Sequence, residues 1–378
     1  VLGLLSLIVG AALVSFVVNL WLLAEVDAAA ELDSLTQDRV DEIFHLRQTL
    51  GDDVWPGWGD AEIPLILYNE EYAFLIGYPG DPPAGWLPVG ADQPVGAAWA
   101  RLPGERLAQD HYFRARLPAD GTTPQSFTVR IGDQWVASLG QYEWMKFSLI
   151  EQIREEMPPL LREILPYSLF VNLLLNGTDG HIAAVLHESF HAYQARQSQN
   201  RLLAAEAAAH TGERAYPWHD AEIQAAWQAE LDLLADALRA ESDEEARQLA
   251  RQFLAQRERR RATLASTLVE YEGHREWVEG LARYAELGIW RAAHSTEAYM
   301  PMTALADDPD FDGYRSYPTR WNREVDQIRR MADDEGDGRF YYSGMAQAVL
   351  LDRFAPGWKA QILDDGVWLD ELLQAALP

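Results

Sequence analysis

The run Ala184 to Tyr193, A-V-L-H-E-S-F-H-A-Y, sets His187, Glu188 and His191 among uncharged neighbours. Residues four apart lie on one face of an α-helix, one turn above the other. The spacing therefore predicts a helix with two imidazoles on one side. Val185, Leu186, Phe190 and Ala192 predict that this helix is buried, and burying two imidazoles and a carboxylate without partners is costly. A metal ion resolves that cost. Two imidazoles at this spacing can close on one ion, and zinc favours nitrogen ligands. Glu188 is turned off the ligand face but can reach over the ion's open side, where a carboxylate can take up and return a proton. The alternative is a chance spacing on a solvated helix, which the apolar flanks argue against.

A catalytic zinc takes three protein ligands. The positions after His191 lack the glycine and histidine of the extended H-E-x-x-H-x-x-G-x-x-H pattern. A carboxylate from another helix is then required. Trp277 to Glu286, W-V-E-G-L-A-R-Y-A-E, supplies the choice, Glu279, followed by Gly280 and Ala282, which permit close helix packing. Glu270, Glu272 and Glu276 are rivals, and helical periodicity puts Glu272, Glu276 and Glu279 on a shared face.

These motifs resemble those of the gluzincin metallopeptidases. The Trp-x-x-Glu-Gly run is similar to the third-ligand helix of the membrane alanyl aminopeptidase family. Phe340-Tyr341-Tyr342-Ser343-Gly344 is similar to that family's Tyr-x-x-Gly element. The resemblance implies one zinc ion on His187, His191 and Glu279, with Glu188 as general base and then acid. It also implies an oxyanion-stabilising hydroxyl at Tyr341, with Tyr342 as runner-up. Three departures stand out. A long helical insertion separates His191 from Glu279, Val278 replaces the asparagine before the glutamate, and the Gly-x-x-Glu-Asn amine anchor is absent. The expectation is zinc-dependent peptide hydrolysis without aminopeptidase specificity. The alternative is a zincin-like domain that binds in the envelope without hydrolysing.

The rest of the chain frames that centre. Its 378 residues are 48% hydrophobic and carry a net charge of −28. That length supports a sizeable core, and the charge argues against a nucleic-acid partner. With no cysteine, disulfides and thiolate metal sites are excluded. Val1 to Ala24 carries no charge and is long enough to cross a bilayer. Glu25, Asp27, Glu31 and Asp33 follow, with no arginine before Arg39. This predicts a transmembrane anchor over 1–25 with the body outside the cytoplasm, in preference to a cleaved signal. Residues 26–50 read as an amphipathic helix, a stalk or a docked element, and 51–145 as a β-rich lobe with hairpins around 69–71 and 132–133. Residues 146–378 read as a helical zincin-like domain, giving an α+β, mostly α fold. Asp179 reads as the N-cap of the metal helix. Arg257, Arg259, Arg260 and Arg261 read as a solvated face. Asp308, Asp310 and Asp312 mimic half of a calcium loop, but Thr319 stands where the bidentate acid belongs, so a solvated loop is preferred over calcium. The last two helices are expected to cover the metal helix.

Overall fold

Helix α1, Ser34–Val54, is the first element of the computed structural model, which describes residues 29–103, 107–109, 111–158, 162, 167, 171 and 175–377. The Asp33 carboxylate caps it, accepting from the Thr36 N–H at 2.8 Å. Val40, Ile43, Phe44, Leu46 and Leu50 are buried in the main core. Arg39, Asp41, Glu42 and Arg47 are buried as well. Glu42 accepts from the Tyr299 and Tyr314 hydroxyls (2.6 and 2.8 Å) and the Met302 N–H (2.8 Å). The segment is therefore docked on the body and does not stand off it as a stalk. The expected span over 1–25 lies outside the described residues. Among the described residues no helix is long and apolar enough to cross a membrane.

A seven-stranded sheet follows: β1 Leu65–Tyr68, β2 Tyr72–Ile76, β3 Leu87–Pro88, β4 Ala100–Arg101, β5 Tyr112–Arg116, β6 Phe127–Ile131 and β7 Gln134–Gly140. Its order is β3-β6-β7-β1-β2-β5-β4. The two expected hairpins are present. β1 pairs antiparallel with β2, and β6 with β7 around Gly132, whose φ of 56° suits the tight turn. β1 runs parallel to β7. Alternate strand residues serve two cores. Leu65, Leu67, Phe74 and Ile76 join the helical core, while Ile66, Ala73 and Leu75 join a second core around Trp86.

The remaining elements are mainly helical, so the chain is α+β and mostly α. They are α2 Tyr142–Glu156, α3 Gly177–Gln197, α4 Gln199–Ala215, α5 Ala221–Arg239, α6 Asp243–Arg261, α7 Ser266–Arg275, a π-helical turn Glu276–Gly280, α8 Leu281–Ser295, α9 Tyr317–Ile328, α10 Gly338–Phe354 and α11 Leu369–Ala375. Ser242 caps α6, accepting from the Glu245 N–H at 3.2 Å.

Several expectations are corrected. Helix α3, which carries His187 and His191, starts at Gly177, so Asp179 lies inside its first turn. Asp179 instead accepts from the Asp312 and Tyr314 N–H groups (2.6 and 2.5 Å). The arginine cluster is not a solvated face. Arg257 and Arg260 are buried, and only Arg259 of the four is exposed. Arg257 pairs with Glu276 (2.5 Å) and Glu230 (3.3 Å), Arg260 with Glu230 (2.6 Å) and Glu272, and Arg261 with Glu272 (2.7 Å) and Asp370 (2.6 Å). Charges buried at this depth persist only when paired. The calcium-like loop is a clasp. Asp308 binds Arg39 (2.8 Å) and Thr178 (2.7 Å), Asp310 binds Lys146 (3.1 Å), and Asp312 binds Arg315 (3.2 Å). Those carboxylates do not share a centre. Helix α10 packs on the π-turn and α8, and α3 is covered by β7, α8 and α1.

Candidate metal centre

Helix α3 is held from two sides. Phe190 packs edge-on against Trp55 and Trp58, with ring centroids 4.9 and 5.5 Å away. His181 donates from Nε2 to the Gly140 carbonyl at the end of β7 (2.9 Å). These contacts fix the rotation of the helix, and its remaining face carries His187, Glu188 and His191. All three are buried, and ligand atoms of the three lie within 4.8 Å of one another, a group that could hold a metal ion.

Glu279 reaches this group. Its Oε2 lies 3.5 Å from His187 Nε2 and 3.4 Å from His191 Nε2. The rivals are engaged elsewhere. Glu272 and Glu276 belong to the buried arginine network, and Glu270 is exposed with His274 at 3.8 Å. The expected shared face of Glu272, Glu276 and Glu279 is broken by the π-turn, which is wider than an α-turn and carries Glu279 round from its neighbours. The turn presses on α10. A Cβ on Gly280 would stand 2.5 Å from Gly344 Cα, and one on Gly344 would stand 2.6 Å from the Glu276 carbonyl oxygen. Only two glycines allow this approach, and Tyr341 lies one turn before Gly344. The Tyr341 ring stacks on His187, with centroids 5.7 Å apart and planes 9° off parallel.

The outer partners were not singled out in the sequence. His191 Nδ1 faces Gln194 Oε1 at 2.9 Å, and Gln194 donates in turn to the Trp277 carbonyl (2.7 Å). His187 Nδ1 lies 3.3 Å from Glu286 Oε2, and Arg283 donates to both Glu286 oxygens (2.7 and 2.6 Å). Arg275 donates to Glu279 Oε1 at 2.8 Å. Metal-binding histidines commonly use the second ring nitrogen in this way. Gln194 three residues after His191, and Arg275 four before Glu279, were the available signals. His45, His274 and His294 lie elsewhere, against Tyr299, Trp368 and Tyr317.

The electrostatics fit a cation. Burial pushes the Glu188 carboxyl up to about 8, with Glu279 and Glu286 adding to the rise. Burial opposes a proton on His187, yet Glu279, Glu286 and Glu188 together hold one there, raising it to about 10. Burial lowers His191 despite Glu279. The acids thus draw positive charge toward the rings. Glu279 Oε2 and Glu188 Oε2 are buried without hydrogen-bond partners. Tetrahedral ligands on bonds of about 2.1 Å stand about 3.4 Å apart, the spacing of Glu279 Oε2 from both imidazoles. The donor set of two imidazoles and a carboxylate is one that zinc accepts.

A cleft of about 260 Å³ opens beside the group, lined by Tyr142, Met145, Ala184, His187, Glu188 and Tyr341 among others. Compared with protein-family models, with curated proteins and with solved structures, the chain gives no match.

Proposed function

We propose that this chain is a zinc-dependent peptidase of the gluzincin type. One observation carries the reading: a buried carboxylate oxygen without a hydrogen-bond partner lies at ligand spacing from two imidazoles one helical turn apart. In this reading His187, His191 and Glu279 hold the ion. A zinc ion bound there supplies Lewis-acid polarisation of a carbonyl and a water of lowered pKa.

The chain's own residues supply the rest. Glu188 lines the cleft beside the two rings and has a free oxygen. It takes the proton of the attacking water and returns it to the leaving amine. Tyr341 holds its hydroxyl near Glu279 and Glu188; burial first, then those charges, push it well above its ordinary value. It remains a hydroxyl donor, suited to an oxyanion. Gln194 orients the His191 ring from behind by a hydrogen bond, and Glu286 faces His187 Nδ1 at 3.3 Å as a charge partner.

Strand β6 supports a peptide as the substrate. Phe127 packs 4.6 Å from the His191 ring, while β3 pairs only with Val129 and Arg130 of β6. The stretch of β6 nearest the centre thus has no strand on its outer edge among the described residues. An extended peptide can add to such an edge through its backbone.

Glu188→Gln tests the mechanism. Zinc content is expected to stay at the wild-type level while cleavage of a peptide library falls by about 100-fold or more. Undiminished cleavage by a zinc-loaded variant would sink the reading. Zinc binding without cleavage in the wild type would point to the non-hydrolysing alternative.

A further inference from the structure

The Arg275 guanidinium joins acids from three elements. Nη2 donates to Glu279 Oε1 (2.8 Å) and Asp337 Oδ2 (2.7 Å), Nε to Asp337 Oδ1 (3.0 Å), and Nη1 to Glu206 Oε1 (2.9 Å). The side chain is buried. A guanidinium has five N–H donors in a rigid fork and can serve several carboxylates at once; an ammonium is a single point.

The consequence for Glu279 is asymmetric. A carboxylate with both oxygens free can hold a cation through one or both. Here Oε1 is taken by Arg275, and Oε2 alone faces the two imidazoles. The other end of the fork acts on the tyrosine. Asp337 is the N-cap of α10, and its carbonyl accepts the Tyr341 N–H at 2.9 Å. One side chain therefore ties the acid to the helix turn that carries the cleft's phenol.

We propose that Arg275 is a positioning residue that presents Glu279 to the metal as a one-oxygen donor and locks the Tyr341 turn to it. This inference rests on the metal-centre reading above. It differs from an ordinary stabilising ion pair in what it controls, namely the number of oxygens on the ion.

The test uses the full chain titrated with cobalt(II) alone, whose visible bands weaken and shift when a fifth ligand joins a four-coordinate centre. Wild type is expected to give the intense spectrum of four-coordination. Arg275→Met frees Oε1, and the bands are expected to lose intensity and shift. Arg275→Lys keeps the charge but not the fork and is expected to lose part of the intensity. Circular dichroism reports whether each variant folds, and if Arg275→Met does not, Arg275→Lys decides alone. A purely structural arginine would lower the melting temperature of a variant and leave its spectrum unmoved. An unchanged spectrum in a folded, cobalt-loaded variant overturns the proposal while leaving the metal centre standing. A wild type that binds no cobalt removes both.

Discussion

Tyr341 and Tyr342 are adjacent in the chain, and the fold gives them opposite company. Tyr341 stacks on His187 and lines the cleft. Tyr342 lies near Arg283, 5.8 Å from its ring, and beside Glu324; burial pushes its hydroxyl up to about 12. If the first hydroxyl stabilises an oxyanion, Tyr341→Phe should lower kcat by about 100–1000-fold with little change in KM. Tyr342→Phe should leave kcat within a few-fold of wild type. Steady-state kinetics on one peptide substrate compares the two, and equal effects would remove the assignment. The same scale explains why Glu279 and not Glu276 reaches the rings. Glu276 accepts from Arg257 and from the Ser343 hydroxyl, so both its oxygens are in use.

At the scale of elements, the centre depends on two helices pressed together until their backbones touch. The π-turn Glu276–Gly280 and α10 meet at Gly280 and Gly344. A methyl group on Gly344 would stand 2.6 Å from a carbonyl oxygen and 2.8 Å from Gly280 Cα, and backbone atoms cannot swing aside as a side chain can. Gly344→Ala should therefore cost about 1–3 kcal/mol, the range for overpacking a filled site. A urea titration followed by tryptophan fluorescence measures it. The strain lies between the acid and the tyrosine, so the variant should lose zinc affinity as well. A Gly344→Ala protein with wild-type stability and zinc affinity would show that the close approach is dispensable.

At the scale of the molecule, one buried titratable group reports on how the sheet and helix α3 are joined. Burial pushes the His181 imidazole down to about 4 from an ordinary 6.5, against its hydrogen bond to Gly140. The unfolded chain thus binds this proton more readily than the folded one. The stability that His181 contributes is complete above pH 6.5 and is lost as pH falls toward 4, a span worth about 3 kcal/mol. In His181→Gln, which keeps an N–H donor, the fall in unfolding free energy between pH 6.5 and 4 should be shallower than in wild type by an amount of that order. Parallel pH profiles for the two proteins would refute it.

Features that depend on near neighbours were legible from the residues alone. The imidazole pair follows from helical period, the hairpin at Gly132 from turn chemistry, and the mixed, mostly helical class from the length of the periodic segments. Gly280 and Ala282 after Glu279 single it out among four glutamates, and Gly280 does serve a close contact. The separation of Glu279 from Glu276 was not legible, because a π-turn leaves no residue pattern of its own. The burial of Arg257 and Arg260 was equally hidden. A cluster of arginines reads as solvated until the acids that neutralise it, Glu230, Glu272 and Glu276, are brought to it from other helices. Chain-local rules set which groups can bind a cation; long-range packing set which of them meet, because pairing energies between charges depend on distances in space and not along the chain.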